Sequence, residues 1–169
     1  MEELNRLDTD AAKEAEHFPV WILLDDVRSM HNVGSTFRTA DAFNARGICL
    51  CGYTPQPPHR DIHKTALGAT DTVTWKYEED ITIPIQSLKQ QGYKIWAVEQ
   101  AHNSISLENI KVSSEEKVAL IFGNEVSGVS DKALALCDAC IEIPQWGSKH
   151  SLNISVTVGV VLWELVKGR

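Results

Sequence analysis

The sequence has no apolar run of about 18 residues, so nothing in it reads as a membrane-spanning helix. Positive charge is scarce: 16 lysines and arginines stand against 23 aspartates and glutamates, a net charge of -7. That balance argues against a protein that coats nucleic acid by bulk electrostatics. Four cysteines are too few to suggest a disulfide framework at this length. Cys49 and Cys51 alternate in GICLCG and read as packed on one face. Cys137 and Cys140 form a C-x-x-C, but no second pair follows at finger-like spacing, so free thiols are expected and no metal is assigned. The chain also lacks G-x-G-x-x-G and G-K-[ST], which disfavours a dinucleotide or a triphosphate. Its start, MEELNRLDTDAAKEAEHF, is acidic and polar, unlike a secretory or transit signal, and cytoplasmic residence is the expectation.

The 169 residues, 43% of them apolar, suffice for one domain with a real core. We expect a single domain over residues 1–169, with 1–18 as an acidic extension. Charge is unevenly distributed. Residues 1–27 carry eight acids and two bases, whereas 28–64 carry five bases and two acids plus His31, His59 and His63. The basic stretch is either a chance feature of a solvated surface or a local polyanion-binding face.

Apolar patterning gives the order of elements. VWILLDD (20–26) reads as a buried strand, and 32–44 as a helix capped by Asn32 or Ser35 with Phe37, Ala40 and Phe43 inward. GICLCG is a second strand and PQPPHRD a proline-bound loop. A short helix is predicted over 62–69, a strand over 73–77, a helix over 85–91 ending at Gly92, and a strand over 93–99. KVALIFG (117–123) suits a strand covered on both faces. Ser130 caps a predicted helix reaching Cys137, CIEIP is the last strand, and 151–166 the last helix. Strands alternating with helices predict an α/β fold, a mostly parallel sheet with helices on both faces. The last helix is apolar nearly all round: Leu152, Val156, Val160 and Trp163 form one stripe and Ile154, Val158, Val161 and Leu165 another. One face then needs a cover beyond the sheet, and a second copy of the chain is the preferred one.

Three stretches carry possible chemistry. IFGNEVSG (121–128) leaves the carboxyl end of a predicted parallel strand, where open α/β sheets bind ligands. Its Glu125 suits a cationic or neutral ligand with hydroxyl or amine groups. SMHNVGSTFRTAD (29–41) places Arg38 one helical turn beyond Gly34 on one face, where its planar fork could reach a phosphate or simply pair with Asp41. IEIPQWGSKHSLNISVTVGV (141–160) is a strand, a loop and a helix start, with Ser151 as a candidate cap.

In this order the three stretches resemble the SPOUT methyltransferase superfamily, and within it the TrmH-like (SpoU) branch of RNA ribose 2′-O-methyltransferases. Asn32, Gly34, Arg38, Thr39 and Ala40 match the first motif; Phe122, Gly123, Glu125 and Gly128 the second; Ile143, Pro144, Ser151, Leu152, Asn153 and Ser155 the third. The likeness covers about residues 20–166. Gln145 and Trp146 depart from the family's usual methionine after I-P.

The resemblance implies a C-terminal trefoil knot, a homodimer, and no metal. It implies methylation of a ribose 2′-hydroxyl in tRNA or rRNA, using S-adenosyl-L-methionine and yielding S-adenosyl-L-homocysteine. No separate RNA-binding domain is expected beside the catalytic one. Gly123, Ile143 and Leu152, with Phe122, Gly128 and Pro144, would hold the cofactor. Arg38, with Asn32, Glu125, Ser151 and Asn153, would form the catalytic set. Glu125 would hold Arg38 or another cation, Asn32 and Asn153 would orient the ribose or the arginine, and Ser151 would steady its loop. A non-catalytic RNA-binding relative, or a nucleotide- or flavin-binding α/β protein, are the alternatives. Arg60, His63 and Lys64, within 53–64, either contact RNA phosphates or belong to a polar surface loop.

Overall fold

The run Val118–Phe122 is wholly buried, as a central strand covered on both faces must be. Around it the computed structural model, which describes residues 16–148 and 151–167, builds a seven-stranded sheet. The strands are β1 (Phe18–Asp25), β2 (Ala45–Cys51), β3 (Trp75–Glu78), β4 (Lys94–Val98), β5 (Ile105–Ser106), β6 (Val118–Phe122) and β7 (Ala139–Glu142). Their order is β3-β2-β1-β6-β4-β7-β5, and all six pairings are parallel.

Alternation along each strand divides the interior into two cores. Ile22, Leu24, Ile48, Leu50, Leu120 and Phe122 face one side, against α1 (Met30–Ala42), α2 (Arg60–Ala66) and α6 (Ile154–Val166). Leu23, Cys49, Ile95, Ala97 and Ile121 face the other, against α4 (Thr82–Gln90) and α5 (Asp131–Leu134). The short α3 (Ala69–Thr72) packs beside α1 and α2. Helices therefore cover both faces, as expected.

Several boundaries differ from the sequence reading. Helix α1 starts earlier, because the Ser29 hydroxyl accepts from the Asn32 amide; Ser29 is the cap, while Asn32 is buried in the first turn. Helix α6 starts later, at Ile154, with Asn153 as its cap; Ser151 lies in the exposed loop before it. The stretch from Ile62 to Ala69 divides at Leu67 and Gly68, both with positive φ, into α2 and the start of α3. Strand β5 and the 3-10 turn Leu107–Asn109 were not anticipated; two residues carry too little pattern. Most of the acidic extension lies outside the described residues, but Phe18, placed within it, opens β1 and is buried.

Gly34 fixes the approach of α2 to α1. A Cβ there would stand 2.3 Å from the Ile62 carbonyl oxygen. The Thr65 hydroxyl donates to the His31 carbonyl across the same contact. Cys49 and Cys51 are buried free thiols, but Cys137 and Cys140 are only half-buried. Burial pushes the Cys137 thiol up to about 12, so it carries little of the thiolate that redox chemistry needs. Among the described residues no three potential ligands converge on a metal position, and no helix is long and apolar enough to cross a membrane.

Candidate active site

The loop after β6 closes on itself. Asn124 and Gly128 exchange two 2.9 Å backbone hydrogen bonds, and the Asn124 side chain accepts from the Val126 and Ser127 amides. The closure leaves no room at Gly123, where a Cβ would lie 2.1 Å from the Gly128 carbonyl carbon. Asn124 Nδ2 also donates to the Asp26 carbonyl, at 2.7 Å, and ties the loop to the end of β1. The Val129 and Ser130 amides donate to Glu99 and Asp25, at 3.1 and 2.8 Å. The glycine-rich stretch is thus a closed hairpin rather than an open cradle of amides.

Glu125 caps α1 from outside that helix. Its carboxylate accepts from the Arg28 and Ser29 amides, each at 3.2 Å, and from Asn32 Nδ2 at 3.1 Å. Negative charge is favourable there, at the positive end of the helix. Burial pushes the Glu125 carboxyl up. Hydrogen bonds from backbone amides, its own among them, and from Asn32 outweigh that and leave it below the ordinary carboxylate range. Asn32 Oδ1 in turn accepts from Asn153 Nδ2 at 3.2 Å, and Asn153 Oδ1 accepts from the Ser155 amide at 2.9 Å. One chain of hydrogen bonds joins the three sequence stretches.

Arg38 stands apart from this chain. Within the one chain Glu125 is engaged by backbone amides and Asn32, and no described contact joins it to Arg38. Asn32 and Asn153 likewise bond to protein partners. The Arg38 guanidinium is exposed and makes no hydrogen bond or ion pair among the described residues. The alternative pairing with Asp41 is not made either; Asp41 accepts from Thr72 at 2.6 Å.

Beside the network lies a cavity of about 480 Å³, within the range of small-molecule and cofactor sites. Phe122, Gly123, Glu125, Gly128, Ile143, Ser151, Leu152 and Asn153 all line it; of the predicted cofactor-binding residues only Pro144 does not. Gln145 lines the cavity too, whereas Trp146 is exposed. Among the contributors the sequence reading missed are Asn124, Glu99 and Glu142. Asn124 sits in the loop after β6, Glu99 directly follows β4 and Glu142 ends β7, so carboxyl-end position was the available signal.

The SpoU rRNA methylase family model matches residues 19–163, which contain every residue of this site. The chain belongs to that family. A similar protein, the 23S rRNA (guanosine-2′-O-)-methyltransferase RlmB of Haemophilus influenzae, is 33% identical over 168 residues, 99% of this chain and 67% of its own. An AdoMet-bound rRNA methyltransferase from Sinorhizobium meliloti matches with a TM-score of 0.81 and 27% identity, covering 90% of this chain and 58% of that one. The SpoU methyltransferase AviRb from Streptomyces viridochromogenes, in complex with AdoMet, shares the fold with a TM-score of 0.82 at 21% identity, covering 91% and 59%. The SpoU-family chain thus spans about two thirds of the first curated relative and about three fifths of these two solved chains.

Proposed function

We propose that this chain is an S-adenosylmethionine-dependent methyltransferase acting on a ribose 2′-hydroxyl of tRNA or rRNA. The observation that carries the reading is the cavity shared by the second and third sequence stretches, joined by Asn32 to the helix bearing Arg38. Its described lining contains Glu99, Glu125 and Glu142 but no lysine or arginine, which fits a ligand with a cationic centre and not a polyphosphate.

The apolar Phe122, Ile143 and Leu152, with the close backbone at Gly123, fit an adenine and the methionine chain attached through its ribose. When bound, the cofactor supplies an electrophilic methyl group. The protein must then align a hydroxyl and help remove its proton. Arg38 cannot serve as the base, since a guanidinium stays protonated. It anchors the neighbouring phosphate and stabilises the developing alkoxide, while the proton leaves to that phosphate or to water. Glu125, Asn32 and Asn153 hold α1, and hence Arg38, in place. Ser151 sits at the cavity mouth as part of the loop wall.

Val156, Val160 and Trp163 form an exposed apolar stripe on α6, which supports assembly as a homodimer. In that arrangement Arg38 serves the partner's cavity, consistent with its separation from Glu125. A single catalytic domain with a C-terminal trefoil knot is part of the same reading. Its support is the convergence of 98–100, 122–128, 141–145 and 151–157 on one cavity. The test is incubation with methyl-labelled cofactor and separated tRNA and rRNA fractions, followed by mapping of the modified nucleotide. Label in a 2′-O-methyl nucleotide is expected; no label in either fraction would reject the reading.

A further inference from the structure

Two glutamates lie at the carboxyl ends of adjacent strands. Val98 of β4 is the register partner of Ile141 in β7, and the Glu99 amide donates to the Ile141 carbonyl at 3.0 Å. The next step along both strands brings Glu99 beside Glu142, and both line the cavity. Like charges on adjacent strands repel, so the pair costs stability without a compensating cation. None is supplied locally: neither carboxylate has a lysine or arginine partner among the described residues. Burial and the Glu99 charge both push up the half-buried Cys140 thiol, one step back on β7 from Ile141, and so register that negative field.

The two glutamates have different work within the fold. Glu99 accepts from the Gln100 and Val129 amides, at 3.0 and 3.1 Å, and so anchors the hairpin. The Glu142 carboxylate accepts no hydrogen bond among the described residues and is half-buried in the cavity wall. We propose that Glu142, reinforced by Glu99, gives the cavity a charge preference: it holds the sulfonium methyl donor more tightly than the demethylated thioether product. The inference rests on the cofactor assignment above. Methyl transfer removes one positive charge from the ligand, so the field that favours the donor no longer favours the product. The cavity thereby promotes exchange of product for fresh donor.

The test is calorimetric titration of wild type and Glu142→Gln with S-adenosylmethionine, S-adenosylhomocysteine and sinefungin, whose ammonium replaces the sulfonium methyl group. We expect Glu142→Gln to weaken the two cationic ligands roughly three- to tenfold and the homocysteine product less than about twofold. Parallel weakening of all three ligands, or no change in any, would overturn the proposal. Salt dependence of the wild-type protein gives a second readout that needs no variant. Donor and sinefungin affinities should fall more steeply with salt than product affinity, and equal slopes would overturn the proposal. Wild type that binds none of the three would reject the cofactor assignment itself, whereas binding without discrimination rejects only the role of Glu142.

Discussion

Asn153 Nδ2 donates a 3.2 Å hydrogen bond to Asn32 Oδ1, joining residues 121 positions apart. Through it the cap of α6 is tied to the first turn of α1, and through Asn32 Nδ2 to Glu125. Asn32 therefore has one orientation that satisfies both neighbours: amide nitrogen toward the carboxylate, oxygen toward Asn153.

Replacing Asn32 distinguishes this network from mere packing. Asn32→Ala should cost about 1–3 kcal/mol in denaturant unfolding, because two partners lose a hydrogen bond in a half-dry site. Asn32→Asp should be worse at neutral pH, since a second carboxylate would face Glu125 with no proton to donate. The gap between the two variants should narrow on acidification. A stability for Asn32→Asp equal to wild type at neutral pH would contradict the assigned orientation.

The pH dependence of Glu125 has a definite sign. Its carboxyl is held below the ordinary range in the folded chain. Its contribution is therefore fully present above the unfolded-state value and is lost as pH falls through the folded one. Wild type should melt above Glu125→Gln at neutral pH, and the difference should shrink as pH falls through the carboxylate range. A difference that grew with acid would have the wrong sign.

Gly123→Ala probes the closed hairpin. The added Cβ meets backbone, not the end of a flexible side chain, so the loop between Asn124 and Gly128 must open. We expect cofactor affinity to fall at least about tenfold, as read by titration with S-adenosylhomocysteine, with a loss of stability of about 1–3 kcal/mol. Undiminished affinity would show that the hairpin does not wall the ligand site.

Much of this was legible in the sequence, for reasons that differ by element. The wholly apolar Val118–Phe122 announces a strand covered on both faces, and alternating strands and helices announce the parallel sheet. Eight of the eleven predicted site residues line the cavity because each stretch ends a strand or opens a helix at the sheet's carboxyl edge. What was not legible is which donor meets which acceptor. Glu125 reads on charge as suited to a cation, but its hydrogen bonds to backbone amides, which look alike in any sequence, could not be read there. Asn32 reads as a cap by residue type, yet Ser29 caps and Asn32 turns inward. Strand β5 is too short to show a period.

Arg38→Ala separates chemistry from architecture. The exposed guanidinium holds nothing together among the described residues, so the melting temperature should barely move, with a stability change within about 0.5 kcal/mol. Methylation should be abolished while S-adenosylhomocysteine still binds. Lost cofactor binding in this variant would mean that Arg38 shapes the cavity instead of engaging RNA.

Trp163 provides the sharpest test of assembly. It is 59% exposed, and Val156 and Val160, two turns and one turn earlier on α6, are 51% and 38% exposed. The opposite face, Val158, Val161 and Leu165, is buried against the sheet and α1, so the helix is already anchored without the stripe. Trp163 makes a tilted contact with Phe43, at 6.5 Å between ring centres. A charge at Val160 would therefore leave the fold standing and disable only what covers the stripe. Light scattering should give a dimer for wild type and a monomer for Val160→Glu, with unchanged far-UV circular dichroism. If Arg38 serves the partner's cavity, the monomeric variant should also lose methylation. Mixing it with Arg38→Ala would then restore activity only to the extent that mixed dimers form. A monomeric, fully active Val160→Glu would refute both the interface and the shared site.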